Sequence, residues 1–292
     1  MTSTPSGLVI VDKPADWTSH DVVGKLRRLA RTRRVGHAGT LDPMATGVLV
    51  VGVEKATRLL GHLALTEKSY DGTILLGRST NTDDAEGEVT ATASAGGVAD
   101  AAVASGVAAL TGEIQQVPPQ VSAIKVNGQR AYKMARKGEE VELKARLVTI
   151  HDFSILEIRR HDEVIEVDVS ITCSSGTYIR ALARDLGAAL GTGGHLTALR
   201  RTRVGPYDLS MARTIEQLTE ELRVLPMADA VSAAFPRRDV TADDARKVMH
   251  GGKLPATGQG PGPVGVFAPD GTLLALVEEQ GHAAKPLAVF VP

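Results

Sequence analysis

The chain has 292 residues, 43% of them hydrophobic and 23% charged, with a formal net charge of −1. This is an ordinary globular composition, long enough for one large domain with a small one or for two of medium size. No apolar run approaches the roughly 20 residues of a membrane span. The opening Met1-Thr2-Ser3-Thr4-Pro5-Ser6-Gly7 lacks the charged and apolar regions of a signal peptide. Cys173 is the only cysteine, which excludes an intrachain disulfide and a cysteine-based metal site; a cytoplasmic protein is expected. A pI near 6.7 does not mark a nucleic-acid binder, so binding has to be judged from where charge collects.

Leu8-Val9-Ile10-Val11 predicts a short buried strand and Asp12-Lys13-Pro14 a turn. Thr18 followed by Asp21 predicts a helix N-cap, with Asp in place of the usual Glu or Gln. The helix carries Val22, Val23, Leu26, Leu29 and Ala30 on one stripe, with its cations mostly off it. Lys25, Arg27, Arg28, Arg31, Arg33 and Arg34 fall within ten residues that contain no acid. Either they form a solvated helix face or they contact phosphates. A second cluster, His195, Arg200, Arg201 and Arg203, favours the phosphate reading.

The stretch from Arg33 to Leu49 holds Gly36, Gly39, Gly47, His37 and Asp42-Pro43. Asp-Pro is an ordinary turn pair. It also presents one carboxylate at the head of a turn that leads into an apolar strand, Val48 to Val53, which is a rigid place to hold a reactive group. Asp42 has no neighbouring acid or cysteine in the segment, which argues against a metal cage and a paired-carboxylate hydrolase.

A helix is predicted over Ala56 to Leu63, a strand over Tyr70 to Leu76, an acid-rich loop from Arg78 to Glu88 and a helix from Ala101 to Leu110. Pro118 and Pro119 prevent the following stretch from being an uninterrupted central strand. Asn127-Gly128 predicts a tight turn, and Ala131 to Arg136 a short helix ended by Gly138. β character strengthens from Leu147. Ile165, Val167, Val169, Ile171 and Cys173 alternate with polar residues, so Cys173 is expected as a packed thiol and not a nucleophile. Ser174-Ser175-Gly176 breaks this strand, and a helix follows through Ile179, Leu182, Ala183, Leu186 and Leu190 to Gly191. Arg180 opens that helix off its apolar stripe, either solvated or as a planar partner for a carboxylate.

His195 to Tyr207 predicts a strand with a basic exit, and Thr214 with Gln217 a capping box before a helix through Leu222. A domain boundary is expected near Phe235. Beyond it come a helix from Asp243 to His250, a segment rich in Gly and Pro, and two strands joined at Asp270-Gly271.

GHAGTLDPMATGVLVVG, around Asp42, resembles the signature of the TruB family of tRNA pseudouridine synthases. KSY around Tyr70, QVPP with SAIKVNG and AYKMARKG, and GTYIR around Arg180 extend the resemblance over most of residues 8 to 235. The resemblance implies an α+β protein: a mixed, largely antiparallel sheet flanked by helices over residues 1–235, with an insertion at about 115–147 that grips the T-loop. Residues 236–292 would be a small β-rich domain like the PUA RNA-binding domain. It implies Asp42 as the catalytic aspartate and Arg180 as the cation that holds it ionised and oriented. Tyr70 is either a strand aromatic or the tyrosine that stacks on the flipped uracil; the family also assigns that tyrosine removal of the C5 proton, although a free phenol with a pKa near 10 is a poor base. His37 would take the flipped base's place in the RNA stack. Tyr178, Leu199 and Lys13 would line the pocket or contact phosphate, and Arg200 and Arg201 would bind RNA. Val121 stands where the family commonly has tyrosine, so no stacking there is carried over.

The activity so implied is isomerisation of uridine 55 in the tRNA T-arm to pseudouridine, by a monomer that needs no cofactor, metal, guide RNA or membrane. Two other readings stay open: an RNA-binding or tRNA-folding module without chemistry, and a guide-RNA-dependent relative.

Overall fold

The computed structural model describes residues 5–120, 125–126, 129–130 and 143–291. The expected Asn127-Gly128 turn, the Ala131–Arg136 helix and Val121 lie outside these residues. The chain divides into two compact units: residues 1–41, 48–64 and 205–292 in one, residues 42–47 and 65–204 in the other. No helix of the described residues is long and apolar enough to cross a membrane.

The second unit is built on antiparallel strands in the order Gly194–Val204, Lys68–Leu76, Ile165–Cys173, Arg146–Arg160 and Gly112–Gln116. The alternation in Ile165–Cys173 does what its period demands, with every odd residue buried and every even one half-buried. Cys173 is packed inside at 1% exposure, as expected, and burial pushes its thiol up to about 11. The Ile179–Ala189 helix lays Leu182, Ala183 and Leu186 against the sheet and packs on Gly194–Val204. The Asp100–Ala109 helix covers Arg146–Arg160. The loop expected from Arg78 to Glu88 is more ordered than its polarity suggests, because Arg78–Thr80 pairs with Val89–Thr92 as a small hairpin.

Residues 42–47 also belong to this unit, with Thr46 and Gly47 pairing in parallel with Arg200 and Arg201. Gly47 has φ +97°, and a Cβ there would lie 2.2 Å from the Arg201 carbonyl oxygen. Only glycine lets the Asp42 loop come this close to the sheet.

In the first unit, Gly7–Lys13 runs almost wholly buried, and Val35–Ala38 pairs with Val50 to Val53. The Ser19–Leu29 helix forms the capping box expected of Thr18 and Asp21: the Thr18 N–H donates to Asp21 Oδ2 over 2.9 Å, and the Asp21 N–H to Thr18 Oγ1 over 3.1 Å. Its apolar stripe packs with Val9, Val11, Leu49 and Val51 in one core. The helix expected from Ala56 begins as a 3-10 turn, Glu54–Leu59, and becomes α-helical over Leu60–Leu63.

The C-terminal residues form a five-stranded sheet in the order Arg237–Asp239, Pro263–Phe267, Leu273–Gln280, Ala283–Val289 and Leu254–Pro255. Ala245 and Val248 of the Ala242–Met249 helix close its core of Val264, Leu274 and Val277. This segment groups with the N-terminal residues: Lys55 Nζ donates to the Phe290 carbonyl over 2.8 Å, Arg58 Nη1 to the Val289 carbonyl over 2.5 Å, and the Arg58 guanidinium stands 5.8 Å from the Phe290 ring centroid.

Candidate active site

In the second unit the Asp42 turn and the start of the Ile179–Ala189 helix, 138 residues apart in sequence, meet. Arg180 Nε lies 3.0 Å from Asp42 Oδ2, and Nη2 donates to Asp42 Oδ1 over 3.3 Å. The planar guanidinium thus meets both carboxylate oxygens, one by a hydrogen bond and one by ion-pair contact, a two-point pairing that a lysine cannot offer. The arginine is not solvated: its side chain is 6% exposed, against 36% for Asp42.

A second acid, which the local sequence did not single out, holds the other end of the cation. Arg180 Nη1 is 3.1 Å from Asp84 Oδ2 and donates to the Thr82 carbonyl over 2.7 Å. Asp84 is 4% exposed and also accepts from the Thr82 hydroxyl (2.6 Å) and the Glu86 N–H (3.1 Å). Glu86 accepts from the Met44 N–H; burial, then the Asp84 and Asp42 charges, raise its carboxyl above the usual range. Asp42, isolated in sequence, therefore has acidic company in space. The only hint in the sequence was the acid-rich run from Asp83 to Glu88.

Tyr70 is buried, 7% exposed, on the central strand opposite Ile171 on one side and Arg201 on the other. Burial raises its phenol; a hydrogen bond and the charge from Arg201 oppose this, and the nearby Asp42 charge adds to it. Arg201 itself is 1% exposed. The expected RNA-contacting surface at this residue is replaced by an internal role, because strand alternation turns it inward beside Tyr70. His195 of the same cluster is likewise buried, with Nδ1 2.9 Å from the Arg78 carbonyl oxygen. Arg200 is turned the other way, half-buried, with Nη1 donating to Thr46 Oγ1 over 3.3 Å.

Leu199 (9% exposed) and Arg200 line a cavity of about 420 Å³ with Met44 and Thr46 of the Asp42 turn and with Leu156 and Val169. Tyr178 is the N-cap of the helix that carries Arg180. Among the described residues no group of three or more His, Cys, Asp or Glu is placed to hold a metal ion.

Two expected site residues belong to the first unit. His37 is half-buried, and its ring meets that of His20 edge-on, with centroids 5.6 Å apart and planes at 81°. Lys13 is fully buried, and its Nζ donates to the Pro14 and Trp17 carbonyls over 2.8 and 2.5 Å. It shapes the turn ahead of the first helix, which corrects the expectation that it contacts phosphate.

The family model for "TruB family pseudouridylate synthase (N terminal domain)" matches residues 27–179. "tRNA pseudouridylate synthase B C-terminal domain" matches residues 180–230, and "tRNA Pseudouridine synthase II, C terminal" residues 235–291. The chain is 63% identical to a protein of Thermobifida fusca named tRNA pseudouridine synthase B, over 97% of this chain and 98% of that one. It is 62% identical to a protein of that name from Streptomyces coelicolor, over 99% and 98%. The solved structure "Crystal Structure of a Cbf5-Nop10-Gar1 Complex" contains a chain that superimposes with a TM-score of 0.78 at 27% identity, covering 99% of this chain and 86% of that one.

Proposed function

The chain belongs to the TruB family of pseudouridylate synthases, and from that premise we propose that it isomerises uridine 55 in the T-loop of transfer RNA, with Asp42 as the catalytic carboxylate. It is an isomerase acting on tRNA, as its full-length relatives are named. The observation that carries the residue-level reading is the two-point pairing of Arg180 with a partly exposed Asp42.

The target base lies inside a folded loop, so it must leave the stack for the chemistry to begin, at a cost of a few kcal/mol. Asp42 then attacks the ribose C1′ or assists removal of the 2′ proton. The N1–C1′ bond breaks, the uracil rotates, and a C5–C1′ bond forms; C5 gives up its proton and N1 ends protonated. Atoms balance with no net redox change. Arg180 keeps the carboxylate aimed. Tyr70 supplies a face for the base more readily than a proton acceptor, since burial raises its phenol. His37 fills the gap the base leaves, and the C-terminal sheet adds RNA contacts.

Identity of about 62% over nearly the full length of the tRNA-named relatives supports action on tRNA without a guide, against 27% with the Cbf5 chain. The test is Asp42→Asn with a T-arm stem-loop transcript. Binding is expected to survive while pseudouridine at the target position disappears; retained turnover ends the proposal. If the wild-type chain binds the transcript and changes no uridine, the RNA-binding-module reading takes its place.

A further inference from the structure

Two residues outside the reaction just described converge on the turn that launches Arg180. Gln116 ends one strand, Arg146 begins its neighbour in the sheet, and the two are partners in register. Gln116 is fully buried, at 0% exposure. Its amide grips both main-chain groups of Tyr178: Nε2 donates to the Tyr178 carbonyl over 3.1 Å, and Oε1 accepts from the Tyr178 N–H over 2.8 Å. Arg146 lays its guanidinium over the Tyr178 ring, 4.7 Å from the centroid, and donates to the Gly176 carbonyl. Farther along the helix, Arg184 Nη2 donates to the Val117 carbonyl over 2.8 Å, next to Gln116 in the chain.

Tyr178 is the helix N-cap, yet its side chain makes no capping bond. The position of the first turn is therefore set from outside the helix. A primary amide carries one acceptor oxygen and a donor NH₂ on one plane. Bonding reciprocally to a single residue, it fixes both the place and the tilt of that residue's main chain. Arg180 comes two residues later, in the first turn, so a displacement of Tyr178 passes to its Cα with little attenuation. A fork that meets a carboxylate with an ion-pair contact at 3.0 Å and a hydrogen bond at 3.3 Å keeps only one of the two contacts when tilted.

We propose that Gln116 and Arg146 are positioning residues, a clamp on the Gly176–Tyr178 turn that holds Arg180 at the angle where both of its nitrogens meet Asp42. The proposal rests on the catalytic reading of Asp42 given above, and two independent readouts separate the failure of one from the failure of the other.

The first readout is the single-turnover rate of pseudouridine formation on a saturating T-arm transcript, with the RNA dissociation constant measured separately. Gln116→Leu is expected to slow the step on the order of 10- to 100-fold, the loss that follows a displaced catalytic group, and saturating RNA does not restore the rate. Arg146→Lys keeps the charge and loses the planar stack, so a smaller loss of rate is expected. It decides the matter if Gln116→Leu does not fold, because Arg146 is only half-buried. A wild-type rate in folded variants, or a loss confined to RNA affinity, overturns the clamp. The second readout is the ¹H–¹⁵N resonance of Arg180 Nε–H in the free chain, assigned by its disappearance in Arg180→Lys. It is expected to move toward the position of an unpaired guanidinium in both variants, and an unmoved resonance also overturns the clamp. If wild type makes no pseudouridine, the catalytic reading fails, and the resonance still decides whether the clamp exists.

Discussion

Arg180 sits between two carboxylates at nearly equal distance, 3.0 Å from Asp42 and 3.1 Å from Asp84, but only Asp42 is open to solvent, 36% exposed against 4%. The buried acid anchors the cation and the open one faces the substrate. Burying such a triad adds little net stability, whereas removing one charge leaves the others uncompensated.

Asp84→Asn keeps the size and the acceptor oxygen and removes the charge. It is expected to lower stability by about 3 kcal/mol, within the range for broken buried pairs, and to slow the chemical step with RNA affinity retained. Thermal unfolding and single-turnover assays on the same preparation check both effects. Undiminished stability with normal turnover would show that Asp42 alone holds the arginine.

Gly47→Ala tests the approach of the Asp42 turn to the sheet. The residue sits at φ +97°, and its new Cβ would meet the Arg201 carbonyl oxygen at 2.2 Å. The left-handed conformation alone costs roughly 1–2 kcal/mol for a residue with a side chain, and the clash adds to it. Urea denaturation is expected to show a loss above about 1 kcal/mol, and activity should fall further than stability as Asp42 is pushed away from Arg180.

Lys68 gives stability a pH dependence of known sign. It is 6% exposed, and burial, then the Arg201 charge, bring its ammonium from 10.5 down to about 8. Below pH 8 folded and unfolded chains are both protonated there, and the cost of burying the charge is borne in full. Between pH 8 and 10.5 the folded state holds fewer protons, so stability at this site rises with pH. The stability difference between wild type and Lys68→Met, from urea midpoints, is expected to be flat from about pH 6 to 7.5 and to move in favour of wild type above about pH 8. A difference that stays flat to about pH 10 would mean that the amine is hydrated.

Arg28 and Arg31 are exposed and are candidates for phosphate contacts. Replacing both with Ala is expected to weaken T-arm binding and to reduce the slope of log affinity against log salt by about 1 to 2, at roughly 0.9 for each phosphate no longer neutralised. The saturated rate should not change. An unchanged slope would return this cluster to the status of a solvated helix face.

Elements with a strong period were legible in the sequence: the Ile165–Cys173 alternation, the stripe from Val22 to Leu29, and both capping boxes, at Thr18 and Thr214. Local chemistry determines these, so local reading suffices. Asp84 is not marked by its local sequence, and Gln116 only as the first residue of QVPP with no role of its own, because their importance comes from residues about 100 and 60 positions away that the fold delivers to them. The cations misled for a related reason. Arg201 looks like a surface charge in a basic run and Lys13 like one in a polar turn, but strand burial turns both inward, where carbonyls hold Lys13 and Tyr70 accepts from Arg201. Arg180 is legible as a carboxylate partner only through GTYIR, since its place off the apolar stripe fits solvent equally well.

The bonds from Lys55 and Arg58 to the carbonyls of Phe290 and Val289 end on main-chain oxygens. Such a fastening is indifferent to which side chains occupy the last strand, apart from the ring of Phe290. Natural drift at Val289 should leave the joint intact, while loss of the two cations would release the C-terminal sheet from the helical turn that bears them.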